Sequence, residues 1–211
     1  MKRAIITGAG SGIGHALCEK LKSSYEVYGV DRKTCDLTGD LSSMDTGNVD
    51  LLVNCAGVGY YGLHENLTPV QIEEMVRVNL EVPLILTNLC LPYLKKNKGI
   101  IVNISSITAD GVNTHGCAYG ATKAGLSNFS KSLFAEIRKS GVRVIDVKPD
   151  MTDTNLYRHS DFGVSDNREA YLTADEVADT IVDAINNKAI TELRLQPQKH
   201  QLGAAPNCQK I

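Results

Sequence analysis

The chain has 211 residues, 43% of them hydrophobic, enough to bury one substantial core. A formal charge of −2 and a pI near 6.2 argue against nucleic acid or an anionic membrane surface as a general partner. The longest apolar runs, LLVNCAGVG and PLILTNLCLPYL, are short or interrupted for a bilayer span, and Met1 leads directly into KRAIITGAG with no signal-peptide pattern. The expectation is a soluble, cytoplasmic protein. Six scattered cysteines form no C-x-x-C, and the five histidines are equally dispersed, so free thiols and no metal site are expected.

In chain order, Arg3–Thr7 reads as a buried strand and runs into TGAGSGIG, residues 7–14, from which a helix over Ile13–Lys22 follows. Glycines 8, 12 and 14 allow a tight turn and the approach of a pyrophosphate to the helix N-terminus, although the spacing G-x-x-x-G-x-G is not G-x-G-x-x-G. Glu26–Val30 is the second strand, and Asp31 at its end stands where a carboxylate can hold a ribose. Only about twenty residues separate it from the strand Leu51–Asn54, too few for a helix, a strand and a second helix. T34-C-D-L37 is read as a strand stub there, with the first intervening helix absent.

Thr68-Pro69 starts a helix, with Thr as cap and Pro at the first position, and Pro83 bends or interrupts the stretch that continues to about Lys96. Strand Gly99–Ser105, helix Tyr119–Lys139 with Gly141 beyond its end, strand Arg143–Lys148, helix Thr173–Asn186 opening on the capping box T-A-D-E, and an edge strand Thr191–Leu195 complete the pattern. Alternation of this kind predicts a doubly wound parallel sheet in a Rossmann-like three-layer α/β/α arrangement, shortened between the second and fourth strands. A single domain over 1–202 is expected, with a cofactor half to about 110, a catalytic and substrate half from 111, and a polar tail over 203–211.

Tyr119 and Lys123, four apart, share one helix face. A nearby ammonium favours phenolate, which suits proton exchange with a carbonyl–alcohol pair. Taken in order, TGAGSGIG, VNCAG, VNL, ISS, YGATK and KPDMTDT resemble the short-chain dehydrogenase/reductase family closely over about 2–154 and more loosely beyond.

The resemblance implies hydride transfer between a nicotinamide and a small-molecule alcohol or carbonyl. Tyr119 would be acid/base and Lys123 would hold the nicotinamide ribose and lower the tyrosine pKa. Ser106, thirteen residues before Tyr119, would bind the substrate oxygen, in preference to Ser105, and Asn79 would support a proton relay through a water. For the cofactor it implies Gly8, Ser11, Gly12, Ile13 and Gly14 at the phosphates, Asn54, Ala56 and Gly57 at the adenine ribose, and Asp36-Leu37 at the adenine. Pro149, Thr152 and Thr154 would flank the nicotinamide, with Thr154 at its carboxamide.

Asp31 would accept the ribose hydroxyls and repel a 2′-phosphate. Some NADP-preferring relatives keep a base where Arg32 stands, yet usually without the preceding acid, and others carry Lys or Arg where this chain has Ser11. NAD is therefore expected over NADP. Two departures stand out: Cys55 replaces an asparagine in N-N-A-G, and Asp150 replaces the glycine of P-G-x-x-x-T.

The segment 155–172 is polar and of modest length, unlike an apolar lid for a steroid or acyl chain. Tyr157, Arg158 and His159 are candidates to meet a polar or anionic substrate, unless the segment is simply solvated. Tyr60, Tyr61 and His64 are further candidates to face the pocket. Family members commonly pair the helices equivalent to Gln71–Lys96 and Tyr119–Lys139 between subunits, which implies a homodimer or homotetramer. Two other readings compete with the oxidoreductase. One is a non-catalytic dinucleotide-binding redox sensor or regulator on the same fold. The other is an epimerase or dehydratase, for which the roughly sixty residues after Pro149 leave little room.

Overall fold

A computed structural model describes residues 1–42, 44–158 and 163–197. The expected tail and His159 lie outside the described residues. Six strands form one parallel sheet: β1 (Lys2–Thr7), β2 (Tyr25–Val30), β3 (Leu51–Asn54), β4 (Ile100–Ile104), β5 (Arg143–Pro149) and, after the short pair described below, β8 (Glu192–Leu195). Their order is β2-β1-β3-β4-β5-β8. In the central strands apolar residues follow one another without alternation because both faces are covered, and Leu51, Leu52 and Val53 are wholly buried.

Helices α1 (Gly12–Leu21) and α5 (Ala174–Asn186) cover one face, packing Leu17, Val177 and Ile181 onto Ile6 and Val53. Helices α3 (Val82–Asn97) and α4 (Cys117–Ile137) contribute Leu86, Leu94, Leu133 and Ile137 to the core on the other face. The capping expectations hold: Thr68 and Thr173 each accept from the backbone three residues on, and Gln71 and Glu176 bond back to them. A short pair, β6 (Thr152–Asp153) with β7 (Leu172–Thr173), brackets the segment after Pro149; the sequence pattern did not anticipate it.

The shortening lies where expected, but T34-C-D-L37 is not a strand, and the described residues between Asp31 and Asp50 form neither helix nor strand. Asp31, Asp36, Asp40 and Asp45 each accept from the backbone N–H two residues on, so successive Asx turns replace ladder bonds. Leu41, Met44 and Val49 anchor this connection in the core. As a result β2 becomes an edge strand.

Helix α2 (Pro69–Val76) passes into α3 through a wide π turn, Arg77–Glu81, which is the form that the expected bend or interruption at Pro83 takes. Pro83 has no N–H to return to the carbonyl of Asn79 four residues back, so the regular ladder fails there and the turn widens. The combined run Pro69–Asn97 is long and apolar enough to cross a membrane by length and composition, contrary to the reading of its apolar stretches as too interrupted. In this fold α3 lies on the sheet with Leu86 and Leu94 wholly buried, while Met75 of α2 is buried in a separate cluster with Val58, Val78 and Tyr119.

Candidate active site

The site is built where β1, β3, β4 and β5 end, at the edge where open parallel sheets bind ligands. Thr7 closes β1, and its hydroxyl accepts from the N–H groups of both Cys55 and Ala56, each at 3.0 Å. The loops after β1 and β3 are thereby fixed to one another. Gly8 has φ +75°, and a Cβ on it would lie 2.9 Å from Ala56 Cα. A Cβ on Gly14 would lie 2.3 Å from the Gly8 carbonyl oxygen, so α1 sits against the loop with no room for a side chain. The loop is thus a backbone cradle at a helix N-terminus, which fits a pyrophosphate.

From this cradle a cavity of about 340 Å³ runs to Tyr119. It is lined at one end by Gly8, Ser11, Gly12, Ile13 and Gly14, then by Cys55, Ala56 and Gly57, and at the other by Ser106, Tyr119 and Lys123. Pro149, Asp150, Thr152 and Thr154 form a further wall, and a Cβ on Gly12 would meet Thr154 Cγ2 at 3.0 Å.

Tyr119 and Lys123 are both buried although they sit on the first turns of α4. Lys123 Nζ donates to the Ile104 carbonyl at 2.8 Å and stands 5.7 Å from the Tyr119 ring centroid. Burial lowers its pKa to about 8, with Cys55 and Asp146 opposing the fall. Tyr119 moves the other way, raised above its ordinary value by burial and then by Tyr157, while hydrogen bonds from Ser106 and Tyr61 pull it down. These two hydroxyls ease formation of the phenolate, and Lys123, to which the sequence pointed for the same effect, stands beside the ring. Ser105 turns away and donates to the Val147 carbonyl at 3.1 Å.

Asn79 lies behind the wall. Its Oδ1 accepts from Val58 N at 2.8 Å, and its Nδ2 donates to the Val58 carbonyl and to Thr122. A Cβ on Gly57 would sit 3.6 Å from Asn79 Oδ1 and 3.7 Å from Lys123 Nζ, which places the three side by side. Asn54 does not reach the cavity: its Nδ2 donates to Asn103 Oδ1 at 2.8 Å inside the protein.

Asp31 stands at the outer rim of the glycine loop, its Oδ2 3.2 Å from where a Gly10 Cβ would be. Its Oδ1 takes the N–H groups of Lys33 and Thr34, and these bonds, that from Thr34 foremost, lower its pKa. Arg32 leans toward α2, 3.7 Å from Glu74, whose other oxygen accepts from the Tyr60 hydroxyl at 2.6 Å. Asp36 accepts from Thr38, and Leu37 packs on the core. None of Asp31, Arg32, Asp36 and Leu37 lines the cavity.

Of the loop candidates, Tyr61, Tyr157 and Arg158 line the cavity, whereas Tyr60 and His64 do not. The Tyr61 ring is 5.4 Å from that of Tyr119 and 5.9 Å from that of Tyr157. Asn113 and His115 also line it, from a loop before α4 that carries no sequence signal. The half-buried Cys55 thiol is pushed up to about 12 by burial and is not a ready nucleophile.

A pattern described as short chain dehydrogenase matches residues 31–162. The chain belongs to the short-chain dehydrogenase/reductase family. Among relatives of this dehydrogenase/reductase is serine 3-dehydrogenase of Rhizobium radiobacter, 31% identical over 84% of this chain and 85% of that protein. An uncharacterized oxidoreductase of Staphylococcus epidermidis is 28% identical over 93% and 97%. A short-chain dehydrogenase of Sphingobium yanoikuyae, solved with NADPH, superposes with TM-score 0.83 at 25% identity, covering 95% of this chain and 89% of that one. The Rossmann-like fold and the oxidoreductase class are those of the family.

Proposed function

We propose that this dehydrogenase/reductase is a nicotinamide-dependent enzyme for a small, polar alcohol–carbonyl pair, with Tyr119 as its acid/base. The observation that carries this is the gathering of Ser106, Tyr61, Tyr119 and Lys123 at one end of a cavity whose other end is the glycine cradle, with the Tyr61 and Tyr119 rings 5.4 Å apart. When bound, the nicotinamide supplies or accepts the hydride. Tyr119 gives its phenolic proton to the developing alkoxide in reduction and takes it back in oxidation. Ser106 steadies the same oxygen, Lys123 holds the ribose, and Asn79 keeps the Lys123 side of the wall in place. Pro149, Thr152 and Thr154 bound the nicotinamide subsite, and Ala56 and Gly57 the ribose side.

The aromatic wall beside Tyr119 and the presence of Arg158, Asp150 and His115 favour a polar substrate. Kinship with a serine 3-dehydrogenase supports the class of small hydroxy acids. A panel of such acids and their carbonyl counterparts, followed by the absorbance of the reduced nicotinamide, tests the reading. Turnover of none of them, with cofactor bound, contradicts it.

We read NAD as the cofactor, because Asp31 presents a carboxylate at the rim while Arg32 is drawn toward Glu74. Asp31→Ala is expected to raise the affinity for NADP⁺ relative to NAD⁺ by about tenfold, or about 1.4 kcal/mol. An unchanged ratio in paired titrations removes Asp31 as the discriminator. Residues 1–202 are read as one cytoplasmic domain. Leu84, Tyr93 and Phe134, left partly exposed on α3 and α4, support pairing with further copies of the chain.

The Tyr61 hydroxyl gives a pH test. It lowers the Tyr119 pKa, so its removal raises it. Oxidation needs the phenolate, and its rate climbs with pH until Tyr119 is ionised. Tyr61→Phe should therefore move that limb to higher pH by about one unit, the worth of one hydrogen bond to a charged group. A limb that stays in place or moves to lower pH speaks against the contact.

A further inference from the structure

Lys148 is the largest fully buried side chain of the described residues, 1% exposed, on a strand whose buried neighbours include Val144, Ile145 and Val147. An ammonium taken from water is expensive unless carboxylates meet it. Three do. Lys148 Nζ lies 2.9 and 3.0 Å from the two oxygens of Asp110, 3.0 Å from Glu192 Oε2 and 3.8 Å from Asp146 Oδ2. Arg194 joins Asp110 at 3.1 Å. Burial pulls the lysine pKa down, but the bonds to Asp110 and Glu192 outweigh it and keep the ammonium charged.

The partners of this ammonium sit on segments that frame the active site. Asp110 ends the single 3₁₀ turn Ile107–Asp110, and the cap of that turn is Ser106, whose Oγ accepts from Thr108 N at 3.2 Å. Asp146 takes the Ser127 hydroxyl at 2.6 Å, one helical turn beyond Lys123 on α4. Lys148 itself immediately precedes Pro149, which lines the cavity. Neither Lys148 nor Asp110 lines the cavity. Replacing such a cluster by apolar residues is often neutral for stability, so what the charges add here is a fixed geometry.

We propose that Lys148 is a positioning residue: through Asp110 it holds the 3₁₀ turn so that Ser106, the cap of that turn, stands on the cavity wall with Tyr119. The inference rests on the active-site reading of Ser106 and Tyr119, and not on the identity of the substrate.

The test uses the full chain labelled with ¹³Cζ-tyrosine, the Tyr119 resonance being assigned by its loss in Tyr119→Phe. Ser106→Ala gives the shift that accompanies loss of the serine hydrogen bond. Asp110→Asn, at a side chain about one-third exposed, tolerates substitution better than Lys148→Met. It is expected to move the Tyr119 resonance at least half as far in the same direction. Added to Ser106→Ala, it should cause no further shift. Lys148→Met, where it folds, should behave as Asp110→Asn does.

A Tyr119 resonance that stays at its wild-type position in Asp110→Asn overturns the proposal. So does an equal movement with and without Ser106, because a general loosening of the fold would produce it. If Ser106→Ala leaves the resonance unmoved, the Ser106–Tyr119 contact is absent and the inference falls with it. A wild-type chain that binds cofactor yet turns over no alcohol refutes the dehydrogenase reading instead and does not alter this readout.

Discussion

Tyr119→Phe is expected to reduce kcat by about 10² to 10⁴-fold, the usual range for loss of a positioned acid/base, while cofactor affinity stays within about twofold. The substitution removes one oxygen from a ring already packed against Tyr61, so the wall of the cavity stays in place. What disappears is the phenolic hydroxyl that shares this end of the cavity with Ser106 and Tyr61. Ser106 is left with its bond from Thr108 N, and nothing else on α4 brings a proton to that point. Lys123 does not stand at that point: its ammonium reaches the Ile104 carbonyl and lies 5.7 Å from the ring centroid. Steady-state turnover and a fluorescence titration with reduced cofactor separate the two effects. A parallel fall in binding would mean that the oxygen also holds the cofactor, so that the loss of turnover could not be assigned to proton transfer alone.

Gly14→Ala is expected to act at the opposite end of the cavity and on the whole fold. In an ordinary helix the change would favour folding by about 1 kcal/mol. Here the new methyl would stand 2.3 Å from the Gly8 oxygen, 2.7 Å from its carbon and 3.1 Å from the Thr7 oxygen, all backbone atoms that cannot rotate away. Relief requires α1 to move off the loop, and α1 is held in the core by Ala16, Leu17 and Leu21. Overpacking of this kind costs about 1–3 kcal/mol or more, so the net effect is destabilising. The displaced helix also opens the cradle, and cofactor affinity should fall by at least about tenfold. Denaturant unfolding and cofactor titration check both parts. A variant of wild-type stability and affinity would show that the loop has room that this geometry denies it.

The strands and most helices were legible in the sequence because buried parallel strands leave unbroken apolar runs and two helices announce themselves, one with a Thr cap and Pro at Thr68-Pro69 and one with a capping box at Thr173. The cradle and the Tyr119–Lys123 pair were legible because they depend on local spacing along one turn or one helix.

Most of what escaped depended on contacts distant in sequence, and one segment, T34-C-D-L37, on strictly local ones. Asn54 reads as a site residue from its motif, yet its amide pairs with Asn103, 49 residues away. T34-C-D-L37 reads as a strand stub, but four aspartates that cap their own turns win over the ladder. Tyr60 and Tyr61 are indistinguishable as neighbours in a loop. Glu74 takes the first, and the second turns to Tyr119. Lys148 would pass for a solvated strand residue, since its carboxylates come from positions 38 and 44 residues away.

The central claim, hydride transfer governed by Tyr119, is tested most directly with NADH carrying deuterium at C4. The enzyme would be incubated with the carbonyl partners of small hydroxy acids and the products read by mass spectrometry. The account predicts deuterium on the carbinol carbon with the wild-type chain and a rate lower by at least about 10²-fold with Tyr119→Phe. Deuterium transfer at an undiminished rate in Tyr119→Phe would contradict it.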